Sequence, residues 1–306
     1  MDSRRAPVRA ASISVLLGVA VFGLKSLAAW RTSSLTLLSD ALESVVNVVA
    51  AGIALGAIRF AARPADANHP FGHAKIEYFS AGIEGALVVL ASVTIAWQAV
   101  TRFGSAPRIP ELGLGLAVSA LATIVNFGLS VYLERAGLRH RSPALLADAL
   151  HVRSDVWTSV GAYLGFGVAW ATQRWELDAL VALAVAGHIL GAGIRAMRGS
   201  FGGLMDEGLP GDEVAAIDRV VGAEPAPVIE HHDLRTRRAG SDLFVEFHLV
   251  VAGATPVRRA HDICDRLEAA IRELHPGARV TIHVEPEAEA RLRPEGPEPG
   301  TGASGS

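Results

Sequence analysis

The chain has 306 residues, half of them hydrophobic, with only 6% aromatics and a mean hydropathy of +0.33. Gly and Ala crowd the apolar stretches, the profile of packed membrane helices in which small side chains let backbones approach closely. The formal net charge of −3 says little about partners, because charge in a membrane protein acts by location, and nothing in it points to nucleic acid. The single cysteine, Cys264, excludes an intrachain disulfide and fits a reducing compartment.

Six apolar segments follow one another through roughly the first 208 residues, near 8–30, 36–61, 77–103, 111–137, 143–171 and 177–203. Each is long enough to span a bilayer with some tilt. The first could be misread as a signal peptide, but it lacks a convincing small-residue cleavage site and is followed by five more spans, so it is expected to be a membrane helix. Arg4, Arg5 and Arg9 precede span one; Arg59, Arg63 and Lys75 flank the second loop; Arg135, Arg139 and Arg141 flank the fourth; Arg195 and Arg198 close span six. The opposite side carries only Arg31, Arg102, Arg108 and Arg174. The positive-inside rule therefore places both termini in the cytoplasm of a multi-pass protein of a plasma or bacterial inner membrane.

Past residue 208 charged residues become frequent and apolar runs shorten, which predicts a soluble domain over 209–290. The pattern reads as a helix at 212–221, strands at 228–237 and 243–251, a helix at 256–274 and a strand at 279–285. The expected fold class is thus an all-α six-helix transmembrane bundle followed by a small α+β domain of order α-β-β-α-β. The Pro, Gly, Glu and Ser rich stretch 291–306 is expected to be disordered.

Within the spans, two pairs of metal-competent side chains stand at i, i+4: Glu43 with Asn47 and His151 with Asp155. That spacing puts each pair on one helix face. Buried ionisable groups are costly in a membrane and mark function by default. At 1.5 Å per residue, Glu43 and Asn47 lie about 10 and 16 Å below the outer end of span two. His151 and Asp155 lie about 12 and 18 Å from the inner end of span five, which in a core of about 30 Å is a matching depth. Four ligands of this type suit tetrahedral Zn²⁺ and tolerate Fe²⁺, Mn²⁺ or Co²⁺. The plainer alternative is a set of interhelical hydrogen bonds holding the bundle together. Lys25, Glu84 and His188 are further polar residues inside spans, with either pathway or structural roles.

A second cluster, Asp66, His69 and His73, falls in the loop between spans two and three, where a turn could close three ligands on a metal or simply expose them to solvent. The soluble domain holds a third group, His232, His248, His261, His283 and Glu285. In 243–251 the apolar residues Leu243, Val245, Phe247 and Leu249 share one face and turn His248 to the other; His283 and Glu285 lie opposite Ile282 and Val284; His261 avoids the stripe Ile263, Leu267, Ile271 and Leu274. His231 and His275 read as surface residues without partners.

Taken jointly, the six spans, the Ser39-Asp40-Ala41 opening before the span-two ligands, the run Ala147 to His151 followed by Ser154-Asp155, the Asp66/His69/His73 loop and the His-bearing α+β tail resemble the cation diffusion facilitator family over about residues 8–286. The stretch 232–237 is particularly like the bacterial zinc and ferrous-iron efflux members. The resemblance implies a homodimer that exports divalent transition metals, generally in exchange for protons. It assigns Glu43, Asn47, His151 and Asp155 to the transport site, Asp66, His69 and His73 to a loop site, and His232, His248, His261, His283 and Glu285 to a binuclear cytoplasmic site that tightens the dimer. It also pairs Lys75 with Asp206 across the dimer. Metal is then substrate and regulator, with no separate cofactor. Two departures stand out: Glu43 and Asn47 replace the usual Asp or His and Asp of span two, and Glu285 replaces an Asp. A neutral amide at position 47 removes one negative charge, which leaves the metal open among Zn²⁺, Fe²⁺, Mn²⁺ and Co²⁺. A membrane metalloenzyme is disfavoured because the chain lacks a His-Glu-x-x-His helix, a nucleophile elbow and a P-loop. A non-transporting metal sensor or scaffold is the main alternative function.

Overall fold

The computed structural model describes residues 5–32, 35–104 and 114–290, so the expectation for 291–306 lies outside the described residues. The chain divides into two compact units, Met1–Met205 with Ala239–Ser241, and Asp206–Arg238 with Asp242–Ser306.

The first unit is helical: α1 (Arg5–Thr32), α2 (Leu35–Ala61), α3 (Ile76–Thr101), α4 (Leu114–His140), α5 (Pro143–Thr172) and α6 (Glu176–Leu204). Among the described residues five of these are long and apolar enough to cross a membrane by length and composition. The other, α5, has 30 residues, a length of about 45 Å, and carries Asp148, Arg153 and Asp155 in its N-terminal half. Hydroxyls within the bundle bond back to their own helix, as Ser12 does to the Val8 carbonyl and Thr158 to that of Ser154, so their polar groups stay satisfied away from water.

Packing brings α3 against α6, α1 against α2, and α5 against α4, α6, α3 and α2. One buried cluster joins Ala10 and Ala11 of α1, Ile58 of α2, Leu129 and Leu133 of α4, and Ala144, Leu145, Ala149 and Val152 of α5. The α3–α6 seam is built on glycine. A methyl on Gly203 would fall 2.2 Å from the Tyr78 ring, and one on Gly85 would meet Met197 at 2.9 Å. Small residues at these points permit the close backbone approach that dispersion needs between membrane helices.

The second unit has the expected order: α7 (Gly211–Gly222), β1 (Val228–Ala239), β2 (Asp242–Val251), α8 (Val257–Leu274) and β3 (Arg279–Pro286), then a short 3-10 turn at Glu287–Glu289. The sheet order is β1-β2-β3, with β2 and β3 parallel in the register Phe244↔Arg279 to Val251↔Pro286. A parallel neighbour requires a crossover, which α8 supplies. The inward residues Leu243, Val245, Phe247 and Leu249 of β2 pack with Ile217 and Val221 of α7 and with Ile263, Leu267 and Ile271 of α8. Two details differ from the pattern-based expectation. Leu274 is 44% exposed because it lies in the last turn of α8, and Val284 is 37% exposed, toward the end of β3.

Candidate metal sites

In the helical unit Asn47 links the two i, i+4 pairs. Its Nδ2 donates to Asp155 Oδ2, and its Oδ1 lies 2.9 Å from His151 Nε2. An ionised carboxylate can only accept, so the amide turns its NH₂ to Asp155 and its oxygen accepts from His151 Nε2–H. That tautomer leaves His151 Nδ1 buried, with no hydrogen-bond partner among the described residues. His151 is 4% exposed and Asp155 half-buried, while Glu43 is exposed.

A cavity of about 200 Å³ is lined by Glu43, Asn47 and Asp155 together with Lys25 and Asp40; His151 does not line it. The Lys25 ammonium sits 2.8 Å from Asp40 Oδ1. Three carboxylates and one ammonium on this wall leave a formal charge of −2, counting Asp40, Glu43, Asp155 and Lys25, which matches one divalent cation. Sequence spacing identified Glu43, Asn47 and Asp155 but not Asp40 as part of that balance. Of the other polar residues within the spans, Glu84 is fully buried and accepts from Ser80, and His188 packs edge-on against Trp157 at 5.5 Å.

The loop cluster is tighter. Asp66 Oδ1 accepts from the backbone N–H of Asn68 at 3.0 Å and of His69 at 2.7 Å, a turn that draws its carboxylate over the loop. Gly72, at φ +93°, provides the left-handed residue that returns the chain to His73. Asp66 Oδ1 lies 3.1 Å from His69 Nδ1 and Oδ2 lies 3.3 Å from His73 Nε2, and one ligand atom from each of the three falls within 4.8 Å of the others. The His69 amide, ahead of the His69 ring, holds the Asp66 carboxyl below its ordinary range. His73 is 7% exposed and stacks edge-on to Phe60, whereas Asp66 and His69 face solvent.

In the α+β unit the β2–β3 register sets His248 directly beside His283. Glu285 reaches three imidazoles: Oε2 is 3.2 Å from His232 Nε2, and Oε1 is 2.7 Å from His248 Nδ1 and 3.7 Å from His283 Nε2. Glu230 orients His232 from the other ring nitrogen at 3.1 Å. His261 stands apart on the exposed face of α8, with Nε2 3.6 Å from Asp265.

Asp233 is the residue that pattern reading missed. Together with His232 and His248 it offers ligand atoms within 4.8 Å of one another. Its backbone is left-handed, φ +53°, which turns its side chain off the strand alternation used to assign faces. His231 and His275, expected to be unpartnered on the surface, are corrected by the structure: His231 Nε2 pairs with Asp218 of α7 at 2.8 Å, and the buried His275 lies 3.7 Å from Glu213. Lys75 donates to the Leu204 carbonyl, and Asp206 pairs with Arg237 at 3.4 Å.

Residues 11–205 match the cation efflux transmembrane domain and residues 209–287 the cation efflux protein cytoplasmic domain. The chain is 43% identical over 277 residues to the uncharacterized transporter sll1263 of Synechocystis, covering 90% of this chain and 89% of that one. It is 32% identical over 285 residues to the cation-efflux pump FieF of Escherichia coli O127:H6, covering 93% and 92%. A solved structure of the putative zinc transporter CzrB is 52% identical and covers 26% of this chain and 99% of its own, with a TM-score of 0.26. Members of this family are transporters and not enzymes, and the chain belongs to the cation diffusion facilitator family of divalent-metal efflux proteins.

Proposed function

We propose that the protein is a metal/proton antiporter that works as a homodimer by alternating access, with both termini in the cytoplasm. The observation that carries this reading is the Asn47 bridge between His151 and Asp155 at the wall of a charged cavity that also holds Glu43. A cytoplasmic M²⁺ takes the Nε2 lone pair of His151, which requires that nitrogen to lose its proton, and takes Asp155 in place of its hydrogen bond to Asn47. The amide then turns its oxygen to the cation, and Glu43 supplies the fourth ligand. When the bundle rocks outward, protons return to His151 and the carboxylates, and the metal leaves. His151 is the principal proton carrier, with a reference pKa near 6.5. The mixed carboxylate, amide and imidazole set accommodates Zn²⁺, Fe²⁺, Mn²⁺ and Co²⁺.

Asp66, His69 and His73 form a loop site, and His232, His248, His261, His283 and Glu285 a cytoplasmic site whose occupancy adjusts dimer geometry, with Lys75 and Asp206 closing an interprotomer pair. His261 reaches that site by leaving Asp265. In proteoliposomes with an imposed pH gradient the parent carries saturable, proton-coupled flux of one or more of these four metals, and Asp155→Ala abolishes it. Metal binding without flux for every ion would instead identify a sensor or scaffold. Replacing His248 and His283 together removes metal-dependent tightening of the dimer while leaving the transport site intact; an unchanged response to metal in that double variant overturns the regulatory role.

A further inference from the structure

Asn47 also lines a second, smaller cavity of about 20 Å³, together with Ser14 of α1, Ser44 of α2, Asn126 of α4 and Asp148 of α5. Asp148 is 1% exposed, and the Ser14 hydroxyl is a hydrogen-bonding neighbour of its carboxylate. Ser14 and Ser44 are 1% and 3% exposed. The Ser44 hydroxyl donates to the Asp40 carbonyl at 3.2 Å, which leaves its lone pairs for the cavity. Glu84 of α3 and His151 of α5 are the ionisable groups in electrostatic contact with Asp148, and neither lines the cavity.

A buried carboxylate that meets a hydroxyl but no cationic side chain in its cavity is costly until a proton or a bound cation neutralises it. The polar wall consists of one carboxylate, two hydroxyls and two amides, with no imidazole or thiol, and such oxygen donors select hard cations over transition metals. The single formal negative charge balances a monovalent ion; a divalent ion would leave an uncompensated charge in a low-dielectric interior. The volume admits one body of about the size of a water molecule. We propose that this chamber is a binding site for a small monovalent cation of the size of Na⁺, held by Asp148 and by the oxygens of Ser14, Ser44 and Asn126. Because Asn47 walls both cavities, an ion here holds α2 against α4 and α5 and fixes the amide that bridges His151 and Asp155. That second consequence rests on the transport-site reading.

The test is equilibrium binding of ²²Na⁺ to full-length, metal-free protein in detergent, with thermal unfolding in NaCl and in choline chloride at equal ionic strength and pH. Saturable ²²Na⁺ binding and a rise in Tm with Na⁺ but not choline are expected. Asp148→Asn, which keeps shape and removes charge, eliminates both; Ser14→Ala weakens Na⁺ binding about tenfold, a change of about 1.4 kcal/mol, and supplies the test if Asp148→Asn does not fold. Asp155→Ala retains Na⁺ binding, so loss of transport and loss of this site are separable. Absence of saturable ²²Na⁺ binding, or an equal Tm response to choline, overturns the proposal and assigns the chamber to a water molecule against a protonated Asp148.

Discussion

Asn47 decides the character of the transmembrane site at the scale of a single residue. Its two amide ends serve an acceptor and a donor at once, something no carboxylate can do. Asn47→Asp places a second carboxylate against Asp155 and adds one negative charge. The expected result is Zn²⁺ binding at least about tenfold tighter, since a unit charge about 4 Å from a cation is worth from about 1 kcal/mol upward per unit of cation charge, together with lower Tm in the metal-free state. Competition with a fluorescent zinc indicator and a thermal melt check both.

Arg153 and Glu134 show a different use of charge. The guanidinium clasps the carboxylate with two bonds of 3.0 and 2.7 Å between α5 and α4. This bidentate pair lets an arginine occupy a spanning helix. Spacing alone marked His151 and Asp155 on one face of their helix, but it could not show that Arg153 has a partner 19 residues earlier or that Asp148 opens into a chamber.

At the scale of elements, α5 owes its start to one side chain. Ser142 accepts from the Leu145 N–H at 3.3 Å and also donates to Glu77 of α3, with Pro143 in the first turn where its missing N–H costs nothing. Ser142→Ala removes the cap and one of the donors to the buried Glu77 carboxylate, which keeps the Ala144 amide, so a loss of about 1–2 kcal/mol is expected. Chemical or thermal unfolding in detergent measures it. Gly203→Ala tests the α3–α6 seam: the added methyl meets the buried Tyr78 ring, and the overpacking costs about 1–3 kcal/mol. The same melt reads it, and Tyr78→Phe does not relieve it because the clash is with ring carbons. The helices themselves were legible from hydropathy, each end agreeing within about three residues. Which glycines carry interhelical contacts was not, because several others, such as Gly23 and Gly128, face open space in equally apolar sequence.

For the whole molecule, two solution properties follow from burial and backbone geometry. Cys264 is buried in the α8 core, and desolvation, reinforced by Glu268 and Asp265, pushes its thiol above the ordinary range. A maleimide therefore labels it slowly in the folded protein at neutral pH and quickly after denaturation, which mass spectrometry resolves. The loop responds to acid in the opposite sense. Asp66 is held below its ordinary value by the His69 amide, so it favours the folded loop above the unfolded carboxylate pKa of about 3.9 and loses that contribution as pH falls through the lower folded value. The Asn68 amide is expected to stay protected from exchange at about pH 5 and to lose protection as pH falls through the lowered Asp66 value. Asp66→Ala removes the carboxylate acceptor and abolishes the Asn68 protection at both pH values, while the His69 amide keeps its 3.2 Å bond to the backbone carbonyl of residue 66.

Periodicity and composition by themselves determined the six long helices, the α-β-β-α-β order and the residue types of three metal-competent clusters, because those features are local: they depend on which faces are apolar and on ligands spaced by a turn. Only tertiary structure decided that Asn47 bridges His151 and Asp155, that Lys25 and Asp40 complete the charge of the cavity, that Asp233 turns toward His232 and His248, and that Asp148 faces a chamber of hydroxyls and amides. Each of these joins residues from separate elements or rests on a left-handed backbone. Relative placement of helices is set by the packing of many small contacts at once, and no single segment of sequence contains it.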